Sequence, residues 1–166
     1  IDNLVLMIGK TEGHLDQSLF ARAILDEKNG PPPEVNLFNE KNNGELLLDL
    51  MSKNYIKSAH DISLGGILIG LSKMCIKGNK GIKLKKSKNL INEIEYYFSE
   101  DQGRYIIEIE SKDLKKVTEI LEKNSVHHEE LGIIIDKDMI INEKTKVSID
   151  ELKTYNNNWL INYMSS

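Results

Sequence analysis

Hydrophobic and polar positions alternate along the chain in short, well-separated blocks. Leu4 to Ile8 is an unbroken apolar run ended by Gly9, which predicts a core strand. Gln17 to Leu25 places Leu19, Phe20, Ala23 and Ile24 at helical spacing. Asn29 to Pro33 holds Gly30 and three prolines, which no helix continues through. Gly44 to Lys53 predicts a second helix burying Leu46, Leu47, Leu50 and Met51. Ile56 to Ala59 reads as a strand, Asp61 to Gly66 as a turn, and Ile67 to Ile76 as a well-buried helix. In the second half, Ile82 to Leu84 and Tyr105 to Ile109 read as strands and Leu90 to Phe98 as a helix. A helix carrying Leu114, Val117, Ile120 and Leu121 follows Ser111, its expected N-cap. Leu131 to Ile135 and Met139 to Ile141 are strands flanking a charged turn, and a last helix begins over Ile149 to Tyr155. Helices and strands alternating in this way predict an α/β domain, a mixed β-sheet covered by helices.

Composition narrows the class. The 166 residues suit one domain, 1–166, and 40% apolar content is enough for a core. The net charge is −4 with no basic stripe, which argues against nucleic acid. No apolar run approaches the ~20 residues of a membrane span, so no membrane partner is expected. The single Cys75 cannot form an internal disulfide and fits a cytoplasmic location. The chain opens on Ile1 and enters a core strand at once, as expected of a piece excised from a longer multidomain protein. Such a piece is expected to expose an apolar patch and to form a dimer or a weakly self-associating species. Trp159, the only Trp, is expected to anchor the tail by packing.

Three polar segments are candidates for chemistry. In Ser58 to Gly66, a strand delivers His60 and Asp61 to its C-terminal end, and Gly65 and Gly66 turn the backbone into a helix. Helix N–H groups there attract anions, and Asp61 could hold a metal that bridges phosphates. The commoner use of Asp61 and Ser63 in such a position is to cap the helix, and of His60 to make a structural hydrogen bond. The second segment, Phe98 to Tyr105, gathers Glu100, Asp101, Gln102, Gly103 and Arg104 before a strand. It suits a polar ligand, or equally a turn in which Arg104 pairs with its acidic neighbours. Arg22 and Arg104 are the only arginines among 22 basic residues, which suggests that Arg104 serves a need for planar, bidentate geometry in binding or at a domain boundary. The third, Gly9 to Ser18, is a strand–loop–helix start able to cradle an anion, though without the spacing of a Walker A loop. His14, His127 and His128 lack further ligands at zinc spacing, and Cys75 reads as core. The two polar segments of 58–66 and 98–105 are expected to face one cleft.

Taken in order, Leu15 to Ser18, Gly30-Pro31-Pro32-Pro33, His60-Asp61-Ile62-Ser63 with Gly65-Gly66, Glu100 to Tyr105, Leu131-Gly132 and the closing Trp159-Leu160 with Tyr163-Met164 span nearly the whole chain. This combination resembles the last domain of the phosphoribosylformylglycinamidine synthase family, within the aminoimidazole ribonucleotide synthetase superfamily. The resemblance implies a ligase that uses ATP, magnesium and glutamine-derived ammonia in purine biosynthesis. Its partners would be the remaining domains of the same chain, a glutaminase subunit and a small bridging subunit. It implies no catalytic residue in this piece, which alone should be inactive and could bind no cofactor at all. By analogy with the sister domain of that family, Asp61, Gly65 and Gly66 mark an auxiliary nucleotide or magnesium site, and Glu100, Gln102 and Arg104 a substrate-like or interdomain one. Asp16 stands where the family usually has Gly, and Leu64 where it usually has Asp; both changes argue against a bound nucleotide. The alternatives are a domain of another ATP-using superfamily member, of the aminoimidazole ribonucleotide synthetase or selenophosphate synthetase type, and a non-catalytic scaffold.

Overall fold

Leu4–Ile8 contains no polar residue because it is buried on both faces, and it forms an interior strand, β1, of a seven-stranded sheet among the described residues. The computed structural model describes residues 2–86, 91–143 and 145–165. The other strands are β2 (Ile56–Asp61), β3 (Gly81–Leu84), β4 (Tyr105–Ile109), β5 (His128–Ile135), β6 (Met139–Ile141) and β7 (Thr145–Val147). Their order is β2-β4-β1-β5-β3-β6-β7. Neighbours pair antiparallel except β3 and β6, which are parallel, so the sheet is mixed.

Helices cover both faces. Alternate residues of β1 divide between two cores, as the two-residue period of a strand requires. Leu6 and Ile8 meet α2 (Leu37–Ser52) and α5 (Leu114–Lys123) through Leu46, Leu50, Val117 and Leu121. Val5 and Met7 lie in the core formed by α3 (Gly66–Gly78), α4 (Glu93–Phe98) and the start of α6 (Ile149–Ser165). The short α1 (Leu19–Ile24) leans on α4 through Phe20, whose ring stacks on Phe98 at 4.9 Å.

Several elements depart from the sequence expectation. Helix α2 starts seven residues before Gly44, because the Asn36 side chain accepts the Asn39 N–H and caps it there. Its Met51 is exposed rather than buried. Helix α1 begins after Gln17, whose φ of 62° is incompatible with a helix, and Ser18 caps it. Strand β2 runs two residues past Ala59 and contains His60 and Asp61. Ser111 is not an N-cap: it opens a 3-10 turn and donates its hydroxyl to the Asp2 carbonyl, while α5 starts at Leu114. Helix α4 begins at Glu93, and Leu90 lies outside the described residues. Strand β7 has no distinct apolar signal, and pairing with β6 creates it.

The expected anchor in the tail is also corrected. Trp159 is 61% exposed, and its ring meets Tyr163 rather than the core. Helix α6 is held by Ile149 and Leu152 in its first turn, and beyond that point the domain offers it little to pack on.

Candidate functional site

The loops after β1, before α3 and before β4 meet at one end of the sheet, and acidic side chains join them. Asp101 is buried, and its carboxylate faces the loop that follows β1. Oδ2 accepts the N–H groups of Glu12 and Gly13 at 2.9 and 3.0 Å, and Oδ1 accepts that of His14 at 3.1 Å. Three successive backbone donors around a left-handed Gly13 make an anion-binding concavity. The cradle expected over Gly9 to Ser18 therefore exists, and the chain's own carboxylate fills it.

Glu100 performs the same service for two helix starts. Its Oε1 accepts the Leu19 N–H of α1 at 2.7 Å and the Gly65 N–H before α3 at 2.8 Å. Neither Asp61 nor Ser63 caps α3 through its side chain. Gly65 is the N-cap residue with φ 84°, and Glu100 reaches across from another segment to supply the acceptor. Gly66 lies so close to the 97–99 backbone that a Cβ there would be 2.6 Å from the Tyr97 carbonyl oxygen. The two polar segments expected to share a cleft are thus in contact, through Glu100 and Gly65.

Arg104 turns inward. It is 1% exposed, and its guanidinium donates to the Asp101 carbonyl at 3.0 Å, the Ser99 carbonyl at 2.7 Å and the Thr11 hydroxyl at 2.9 Å. Burial lowers its pKa, and the nearby Asp101 carboxylate, 3.8 Å from Nη1, opposes that shift. The planar fork predicted for this residue is used, but on the chain's own loops, so Arg104 offers no donor to a ligand or a neighbouring domain. Asp61 ends β2 as an exposed carboxylate beside His60, whose Nδ1 lies 3.5 Å away. Among the described residues no three His, Cys, Asp or Glu side chains group to hold a metal ion, and Asp61 has His60 beside it but no such group. With Leu64 exposed beside the turn and the Gly65 N–H already accepted by Glu100, these residues do not fit a magnesium–phosphate site.

A cleft of about 590 Å³ opens beside this knot, between the loop after β1 and the start of α2. Gln102 and Gly103 form one wall, Glu34, Asn39 and Glu40 the other, and Lys10, paired with Glu12 at 2.9 Å, the rim. Gln102 contributes its side-chain amide to the Glu100 carbonyl. Asp61, Gly65 and Gly66 do not line this cleft. His14 is also engaged, its Nε2 at 2.9 Å from the Pro31 carbonyl, and Gln17 holds the Lys28 and Gly30 carbonyls. The Asp16 carboxylate closes against Gly30, where a Cβ would lie 2.3 Å from Oδ2. Cys75 is buried on α3 with its thiol pushed up to about 11, chiefly by burial and then by Glu108, which removes it as a nucleophile.

The element missed from sequence was the pairing itself. Asp101 and the 12–14 backbone each lie in a candidate segment, but 87 to 89 residues separate them, and no local pattern connects such distant groups.

Comparison with known proteins agrees with this architecture. The family described as AIR synthase related protein, C-terminal domain, matches residues 2–142. Phosphoribosylformylglycinamidine synthase subunit PurL of Pelagibacter ubique is 67% identical over 165 residues, covering 99% of this chain and 23% of the relative. The subunit of the same name from Bartonella bacilliformis is 35% identical over 164 residues, again covering 99% of this chain and 22% of the relative. The chain thus spans less than a quarter of the length of these relatives. In shape, it resembles T. maritima PurL complexed with FGAR, with a TM-score of 0.75 at 19% identity over 92% of this chain and 28% of that one.

Proposed function

The chain belongs to the AIR synthase related protein C-terminal domain family, and we propose that it serves as the C-terminal domain of a phosphoribosylformylglycinamidine synthase. In this reading the parent is an ATP-dependent carbon–nitrogen ligase of purine biosynthesis. It converts formylglycinamide ribonucleotide to the amidine with glutamine-derived ammonia, and magnesium accompanies ATP at sites in other domains. The observation that carries the proposal is the end-to-end 67% identity with a PurL subunit of which the chain spans 23%. A cytoplasmic location, a glutaminase subunit and a small bridging subunit follow from the same reading.

Within the parent, the domain acts as a brace. Asp101 and Glu100 accept the N–H groups that a phosphate would need, and Arg104 locks their loop from beneath. Gln102, on the cleft wall, is the member of the predicted set best placed to meet a substrate or a neighbouring domain. The isolated domain, with apolar Val35, Leu37 and Phe38 exposed at the start of α2, should self-associate.

The test pairs an activity assay with a titration. The parent chain with its glutaminase should form the amidine, and the isolated domain should form none and take up no ADP in the presence of magnesium. Amidine synthesis by the domain alone would overturn the reading. Micromolar ADP binding abolished by Asp61→Ala would replace the brace with a live auxiliary site.

A further inference from the structure

Helix α6 carries an apolar face that outruns the domain. Ile149 and Leu152 pack into the core on one side of the helix. At 100° per residue the same side continues as Tyr155, Trp159 and Tyr163, flanked by Leu160. These four side chains are 54–70% exposed. A solvent-facing helix ordinarily offsets such a stripe with charges on its other side. Here Thr154 to Ser165 contains no Asp, Glu, Lys or Arg, in a chain that is 29% charged. The distal three turns are neither a surface helix nor a packed one within this domain.

Two further observations bear on what covers them. The match to the domain family ends at residue 142, before α6 begins, whereas the end-to-end match to the P. ubique PurL subunit covers 99% of the chain. The helix therefore lies outside the family match and inside the match to the long PurL relative. Those relatives are more than four times as long, which leaves more than three quarters of such a polypeptide available as a surface.

We propose that the Tyr155–Trp159–Tyr163 face of α6 is an intramolecular docking helix that seats in an uncharged, apolar groove formed by the rest of the same polypeptide. This rests on the reading of the chain as one domain of a longer synthase. Trp159 is the anchor of the contact: it is the largest apolar side chain on the face, and Tyr163 steadies it, their ring centroids 6.1 Å apart. The absence of charge on the distal helix matches a dry groove, since an unpaired charge carried into it would be left desolvated without a partner.

The full-length chain tests this with a photo-crosslinking benzoylphenylalanine in place of Trp159. The expected product is an intrachain crosslink to a peptide outside these 166 residues, with a yield independent of protein concentration. Tyr155→Glu, on the same face, should abolish the crosslink, and Asn158→Glu, off the face, should leave it intact. Hydrogen exchange over 155–164 provides a second readout: slow in the unmodified full chain, fast in Tyr155→Glu. Crosslinks between two copies, insertion into added lipid vesicles, or fast exchange in the unmodified full chain would each overturn the proposal. Amidine formation by the unmodified full chain is measured alongside: its absence would overturn the synthase reading, while the crosslink would still report whether α6 docks.

Discussion

The Glu100 carboxylate accepts the Gly65 backbone N–H across 35 residues of chain, at 2.8 Å. This contact places an internal anion where the resemblance to nucleotide-binding relatives implied an external one. It gives the turn before α3 an acceptor that needs no ligand, and Asp101 does the same for the loop after β1.

The Asp101 cradle predicts a chemical rescue. Asp101→Asn should cost about 1.5–3 kcal/mol, because the three part-buried N–H groups exchange a charged acceptor for a neutral amide that offers one oxygen in place of two. Asp101→Gly leaves the three N–H groups free around an open concavity. Inorganic phosphate should then raise the melting temperature of Asp101→Gly and leave that of the unsubstituted domain unmoved. Equal responses from both proteins would show that the cradle is not anion-selective.

Arg104 is predicted to matter for folding alone. Arg104→Met removes the donors that serve the Ser99 and Asp101 carbonyls and the Thr11 hydroxyl, and should cost about 3–5 kcal/mol. Arg104→Lys keeps the charge but not the fork, and should fall between the two. Denaturant midpoints measure both. A parent synthase carrying Arg104→Lys should keep its KM for substrate at temperatures where it remains folded; a raised KM would return Arg104 to the binding site.

Much of the fold was legible because its signals are local. The apolar run of β1, the helical spacing of Leu114, Val117 and Leu121, and the glycines of the turn into α3 are each signals within a few residues of one another, and each element appears where its signal lies. The boundaries that moved were set by caps at a distance from the apolar stripe, as Asn36 sets the start of α2. The site was less legible. Arg104 was singled out by its rarity, yet rarity cannot tell an inward guanidinium from an outward one. Burial decides that, and burial depends on Thr11 and Ser99 converging from separate segments. Trp159 departs from its expected packing for a related reason: a large apolar ring predicts a partner surface but not whether this domain contains it.

Two glycines of α3 should respond oppositely to the same substitution. Gly66 has φ 69°, and a Cβ there would lie 2.6 Å from the Tyr97 carbonyl and 2.7 Å from that of Ser99. The strained backbone alone costs about 1–3 kcal/mol for a non-glycine residue, and rigid backbone atoms cannot yield to the added methyl. Gly66→Ala should therefore unfold the domain or shift its midpoint sharply. At Gly78 nothing lies within 4 Å of the added Cβ, so Gly78→Ala should stabilise by about 0.4–1 kcal/mol through the unfolded chain. Thermal melts of the two variants provide the comparison.

Cys75 makes the pH dependence testable. Burial, assisted by Glu108, raises its thiol to about 11 in the fold, whereas an unfolded cysteine titrates near 8.5. For a group whose folded pKa is raised, the stabilising contribution is fully present below the unfolded value and is lost as pH climbs through the folded one. The neutral thiol is the form that the core between α3 and the sheet accepts. Stability should therefore decline between about pH 8.5 and 11 in the unsubstituted domain, and that part of the decline should vanish in Cys75→Ala, whatever the substitution does to stability at neutral pH. Alkylation provides an independent check: at pH 8 Cys75 should react far more slowly than a free thiol, and urea that unfolds the domain should restore the free rate. Rapid alkylation of the native protein at pH 8 would mean that the thiolate is accessible, and the assignment of Cys75 to the core would fail.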